Sequence, residues 1–251
     1  ASDCGEAPAS LEFEYALLFA EDPRHRGLFA LQTATGTATG LFTPEDRRLA
    51  FTTGAPAAGP GRSDFGTFVR SGILHIWGGA DHLLFLLSLL VPAVMVRVGD
   101  TWRPSPSLRD SAFDVARVVT AFTLGHSVTL AAAALGLLAP PERIVESVIA
   151  ASVVLAAVNN VWPILTRRRW AVAVGFGLVH GFGFAGALGG LALPREALVA
   201  SLLAFNLGVE IGQLVIVAAF LPVAFALRST LFYRRWVLLG GSAAIAALGA
   251  A

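Results

Sequence analysis

From residue 67 onward the chain is a succession of long apolar segments, and no other feature constrains its fold as much. A membrane-spanning helix needs about 20 predominantly apolar residues. Six segments reach or nearly reach that length, at roughly 67–97, 111–138, 142–165, 170–191, 196–227 and 233–250. Only 14% of the residues are charged and the mean hydropathy is +0.70, whereas soluble domains carry about 25% charged residues. The expected fold is therefore mainly α: a polytopic membrane helical bundle of about six transmembrane helices, preceded by a small β unit.

That β unit occupies residues 1–63. Within "LEFEYALLF", Leu11, Phe13 and Tyr15 alternate with Glu12 and Glu14, which is the period of a strand. The stretches 28–42 and 47–53 read as further short strands, rich in Thr and broken by Gly and Pro. "GAPAAGPGRS" (54–63) reads as a linker into the helical domain, residues 64–251. Cys4 is the only cysteine, so neither an intrachain disulfide nor a thiolate metal cluster is available. The chain opens on Ala1 rather than methionine, as expected where a signal peptide has been removed or the sequence edited.

Arginine placement orients the helices. The loops 97–110, 166–169 and 228–235 hold Arg97, Arg103, Arg109, Arg167, Arg168, Arg169, Arg228, Arg234 and Arg235, while the alternate loops hold Arg143 and Arg195. Arginine-rich loops stay in the cytoplasm. The β unit is then expected outside, with the bundle in a bacterial inner membrane. A net charge of +1 gives no basic field for nucleic acid, and no Walker-type nucleotide motif is present.

Against this apolar background stand His75, Asp81 and His82 in the first segment, His126 in the second, Glu146 in the third, His180 in the fourth and Glu210 in the fifth. An ionisable group near the bilayer centre costs at least about 2.5–3.5 kcal/mol and marks a functional site by default. His75 and His82 are seven apart, which on a straight helix puts them on nearly one face about 10 Å apart. Gly78 and Gly79, between them, permit a bend or the close approach of a neighbouring helix. Asn206, Glu210 and Gln213 form one polar stripe. His180 stands among Gly175, Gly177, Gly181, Gly183 and Gly186, small residues that allow tight helix contact. Alone, His126 or His180 reads as an interhelical hydrogen bond; beside the first-segment motif it reads as a ligand. Imidazole and carboxylate donors without thiolate suit a divalent first-row metal, with nickel or cobalt favoured for octahedral or tetragonal sites and zinc for tetrahedral ones. Seven candidates exceed one coordination shell, so some must orient the imidazoles or stand along a path.

At "HIWGGADH" the sequence resembles the HupE/UreJ family of membrane proteins, which carry His-x5-Asp-His on the first helix of the membrane region. The resemblance continues through "FTLGHSVTL", "ESVIAASV", "GLVHGFGFAGAL" and "FNLGVEIGQL", covering most of residues 68–217. The preceding β unit is similar to the extracytoplasmic region of one branch of that family. The resemblance implies a nickel or cobalt permease, of a kind often linked to hydrogenase or urease maturation. It also implies that His75, Asp81 and His82 are the transport-motif residues, with Glu146 as partner. Where many nickel-linked members have proline after the first histidine, this chain has Ile76, which leaves the metal open. The expected function is membrane transport of a divalent transition-metal cation. The alternative is an intramembrane zinc-dependent hydrolase acting on a lipid-like substrate, with Glu146 or Glu210 as base. Expected partners are membrane lipid and the metal ion, with the outer β unit offering a surface to a second copy of the chain or to an accessory protein.

Overall fold

Two antiparallel strand pairs open the chain. The structure, a computed structural model, describes residues 10–20, 27–33, 36–42, 44, 46–52, 62–99, 101–164, 168–184 and 195–250. Strand β1 (Ser10–Glu14) pairs with β4 (Arg48–Thr52), and β2 (Gly27–Thr33) pairs with β3 (Gly36–Phe42). The alternation in β1 holds: Leu11 and Phe13 are half-buried while Glu12 and Glu14 are exposed. Phe13, Phe29 and Phe51 pack ring to ring with centroids 4.4–5.9 Å apart. Tyr15 stacks on Phe42 at 5.4 Å, so aromatic side chains supply the core of this small unit. Of the linker read at 54–63, all but the last two residues lie outside the described residues.

The helical part begins with α1 (Arg62–Gly78) and α2 (Ala80–Leu90), bent by 73° at Gly79. The first apolar segment was expected to run as helix to 97. Instead it turns at 91–94 and forms the hairpin β5 (Met95–Val98) and β6 (Thr101–Pro104). β-branched Val96 and Val98 favour extended backbone, and Gly99 takes the positive φ of the turn. Then follow α3 (Leu108–Ala134), α4 (Glu142–Val161), α5 (Arg169–His180) with a 3-10 turn over Gly181–Phe184, and α6 (Arg195–Leu227). A π-helical stretch (Tyr233–Gly240) leads into α7 (Gly241–Gly249). The ends of α3 are written in its sequence. Ser107 Oγ accepts the Asp110 amide at 3.2 Å. At the other end Gly136 takes φ +69° while Leu137 N donates to Ala132 O and Gly136 N to Ala133 O, a Schellman closure.

Among the described residues, α3, α4 and Leu198–Leu227 of α6 are each long and apolar enough to cross a membrane, and the bent α1–α2 pair makes a fourth if counted as one span. Of the fourth expected span, α5 and the 3-10 turn cover the residues up to 184, and 185–191 lie outside the described residues; the sixth runs as 8 π-helical followed directly by 9 α-helical residues. The chain is thus a mainly helical membrane protein with a small N-terminal β element. Its long helices leave apolar side chains on their outer faces, such as Leu124, Val128, Leu155, Leu203 and Val223, all more than half exposed. In water such faces would be a liability; in lipid they are the expected surface.

Two helix pairs approach closely, both running in parallel. Val69 meets Gly208 and Ile73 meets Gly212 between α1 and α6; Phe122 meets Gly177 and Thr129 meets Gly181 between α3 and α5. A Cβ at Gly208 would collide with the Val69 carbonyl, and one at Gly177 with the Phe122 carbonyl. Small residues thus hold these backbones in contact, the usual device where lipid supplies no hydrophobic drive for association. Asn160 donates from Nδ2 to Ser88 O at 2.8 Å and to Ser242 Oγ at 3.2 Å, joining α4 to α2 and α7.

Candidate metal centre

The break at Gly79 sets the geometry. On a straight helix His75 and His82 would stand about two turns apart; with the 73° bend their ring centroids are 4.6 Å apart. Glycine leaves room at the corner: a Cβ there would lie 3.0 Å from the His75 carbonyl oxygen and 3.0 Å from His82 Nδ1, and both would have to give way. Around His82, which is 6% exposed, gather His126 of α3 at 6.1 Å and His180 of α5 at 5.2 Å between centroids, both 0% exposed. Asp81 places Oδ1 3.5 Å from His82 Nδ1 and keeps 44% of its side chain exposed. Four of the chain's five histidines therefore meet at one place, brought there by α1, α2, α3 and α5.

Neighbouring helices fix the protons on two of these rings. His126 Nδ1 lies 3.2 Å from Asn206 Oδ1. An amide oxygen can only accept, and the Asn206 amide is oriented by Nδ2 donating to Leu202 O at 2.8 Å. His126 Nδ1 therefore carries the proton, leaving a bare lone pair on Nε2. His180 Nε2 lies 2.8 Å from Ser152 Oγ, whose hydroxyl donates to Ile149 O at 2.6 Å. The Ser152 oxygen is thus the acceptor, His180 Nε2 carries the proton, and the lone pair is on Nδ1. Among the described residues, His126 Nε2, His180 Nδ1 and both ring nitrogens of His82 are buried without a hydrogen-bond partner. An unsatisfied buried polar atom costs about 1–3 kcal/mol. One His82 nitrogen is an N–H donor in the neutral ring, so three lone pairs and one N–H are left together, a cost that a cation held by the lone pairs would lower. Such orienting partners are the usual companions of metal-binding imidazoles. Ser152 was not singled out from the sequence, because helical serines are common and only the fold brings this one to His180.

The donors form two sets whose atoms lie within 4.8 Å of one another: His75, His82 and His126, and Asp81, His82 and His180. Two nitrogens on one ion, at about 2.0–2.1 Å each, are at most about 4.2 Å apart. Small rotamer changes therefore suffice to close either set on a cation. The other two expected ligands lie elsewhere. Glu146 is exposed on α4 and belongs to neither set. Its neighbours Val145, Ile149, Ser152, Val153 and Ala156 form the buried stripe of that helix, one step of about 100° round from it. Glu210 also belongs to neither set, and its Oε1 accepts Thr120 Oγ1 at 2.5 Å. The polar stripe of α6 does face one helix: Asn206, Glu210 and Gln213 bond His126, Thr120 and Thr123 of α3.

Aromatic side chains close the cluster on one side. Phe122 lies 5.3 Å from His180 and Phe85 lies 5.0 Å from it, with Phe85 also packed edge-on against Phe176 at 5.3 Å. Phe176 in turn lines a cavity of about 350 Å³ together with Ser88, Trp102, Asp114, Asn160 and Arg169.

No curated protein and no solved structure gives a significant match to this chain. A protein-family model described as "HupE / UreJ protein" matches residues 54–251, the whole helical part with the linker before it. The match spans the bent helix, the four histidines and the helices that orient them, so the chain belongs to the HupE/UreJ family, which is associated with nickel and cobalt transport.

Proposed function

We propose that this protein carries a divalent transition-metal cation, Ni²⁺ or Co²⁺, across a bacterial inner membrane by way of the His82-centred cluster. The observation that carries this reading is the set of buried imidazole lone pairs, aimed at one another and fixed in place by Asn206 and Ser152. In this reading the bundle makes six passes, with the β unit outside and the arginine-rich loops in the cytoplasm. Asp81, with 44% of its side chain exposed, meets the hydrated ion, and the imidazoles replace its water. Beyond the Phe85–Phe176 contact, the cavity beside Arg169 offers the way on to the arginine-rich face. All seven ionisable residues then serve the path, with Glu146 and Glu210 as stations outside the cluster rather than ligands within it. A zinc hydrolase needs a carboxylate base next to the metal; Glu146 is exposed and Glu210 is engaged with Thr120, so this alternative draws no support from their positions.

The test is uptake of Ni²⁺ and Co²⁺ into sealed proteoliposomes. Wild type is expected to load the vesicles and His82→Ala to lose the activity. Tight metal binding by wild type with no uptake in an active, sealed preparation would overturn the transport reading.

A further inference from the structure

We infer that the cluster is two overlapping stations for the same ion, His75–His82–His126 and Asp81–His82–His180, with His82 common to both. This inference rests on the metal-transport reading above and goes beyond it in stating how the ion is held.

Three observations carry it. The donors fall into two three-membered sets, not one set of five. Secondly, the unshared donors are braced by different parts of the bundle. His75 stands on α1, which packs along α6, and His126 is braced by Asn206 of α6. His180 is braced by Ser152 of α4, the helix that packs against α2, where Asp81 and His82 stand. Each set thus has one imidazole held by a different helix, His126 by α6 and His180 by α4. Finally, neither ring nitrogen of His82 makes a hydrogen bond among the described residues, Asp81 Oδ1 lying 3.5 Å from Nδ1, so a change of tautomer turns a lone pair toward either set. His82 sits just past the Gly79 bend, so small changes at that corner shift it between His75 on one side and His180 on the other.

The chemistry suits a carrier. One set offers a carboxylate and two imidazoles; the other offers three imidazoles and no charge. A divalent ion passing between them exchanges two donors while His82 stays bound, so it is never stripped bare in a low-dielectric interior. Conduction through a membrane requires binding favourable enough to enter yet divided among sites so that the ion can leave. Two stations of unequal charge sharing one donor meet that requirement.

The inference is tested with the purified full chain, titrated with Co²⁺ and separately with Ni²⁺. Stoichiometry comes from calorimetry and donor set from X-ray absorption at the metal edge. Wild type is expected to bind one ion. His126→Ala and His180→Ala are each expected to keep one bound ion, with a larger imidazole share in His180→Ala than in His126→Ala, while each lowers the uptake rate at least about tenfold. His126→Asn and His180→Gln repeat the test where an alanine variant fails to fold. Loss of binding in both single variants would show one indivisible site and overturn the inference while leaving the metal reading intact. Two ions bound at once to wild type would overturn the shared donor. Wild type that binds neither metal would overturn the metal reading, and this inference with it.

Discussion

At the scale of single residues, the histidine cluster depends on side chains outside both donor sets. Ser152 and Asn206 place the protons of His180 and His126 so that each lone pair faces inward. Ser152→Ala is expected to weaken metal affinity about 10–100-fold, the usual effect of losing an orienting partner. Ser152→Thr, which keeps the hydroxyl, is expected to restore most of it. Equilibrium titration of the purified variants decides this; unchanged affinity in Ser152→Ala would refute the assigned role. The residues of the cluster were legible in the sequence, because ionisable groups in apolar runs mark a functional site by default. Ser152 was not legible, since nothing local separates it from Ser147 on the same helix, whose hydroxyl merely donates to Arg143 O. Glu146 shows the converse. It is a carboxylate in the right segment, but one position off the buried stripe of α4, and only packing reveals which face of a helix is buried.

The element that matters most is the broken helix. Spacing alone placed His75 and His82 on one face of a continuous rod. The bend at Gly79 brings their rings together, and the Gly78-Gly79 pair was the visible sign that a bend was allowed. Gly79→Ala puts a methyl group against the His75 carbonyl and His82 Nδ1. It is expected to lower metal affinity and uptake together while leaving the protein folded, as read by size-exclusion profile and thermal melt beside the titration. Gly177→Leu acts differently. Its side chain has no room against the Phe122 backbone, so it separates α3 from α5. Loss of the monodisperse folded peak, rather than a selective change in metal binding, is the expected result. Helix lengths were less legible than helix positions. The apolar run into 91–97 reads equally as the end of a long helix or as a buried turn and hairpin, and β-branched residues with a glycine turn decided for the hairpin.

At the scale of the whole molecule, the outer faces of the bundle suit lipid, and its described interior gathers four histidines at one place. Imidazole must be unprotonated to bind metal, so protons compete with the ion. Uptake is therefore expected to fall as the medium is acidified and to recover on return to neutral pH, measured as initial rates in proteoliposomes. Rates that rise with acidification would contradict imidazole ligation. The cluster is built entirely from residues of the helical part. Removal of residues 1–60 is accordingly expected to leave metal affinity within about twofold; a larger loss would assign the β unit a part in the centre itself.

The most direct test is to locate the metal. Crystals of the full chain grown with Ni²⁺ or Co²⁺, measured at the absorption edge of that element, are expected to give an anomalous peak within about 2.0–2.1 Å of a His82 ring nitrogen. A well-occupied metal elsewhere in the protein, with no peak at His82, would contradict the account.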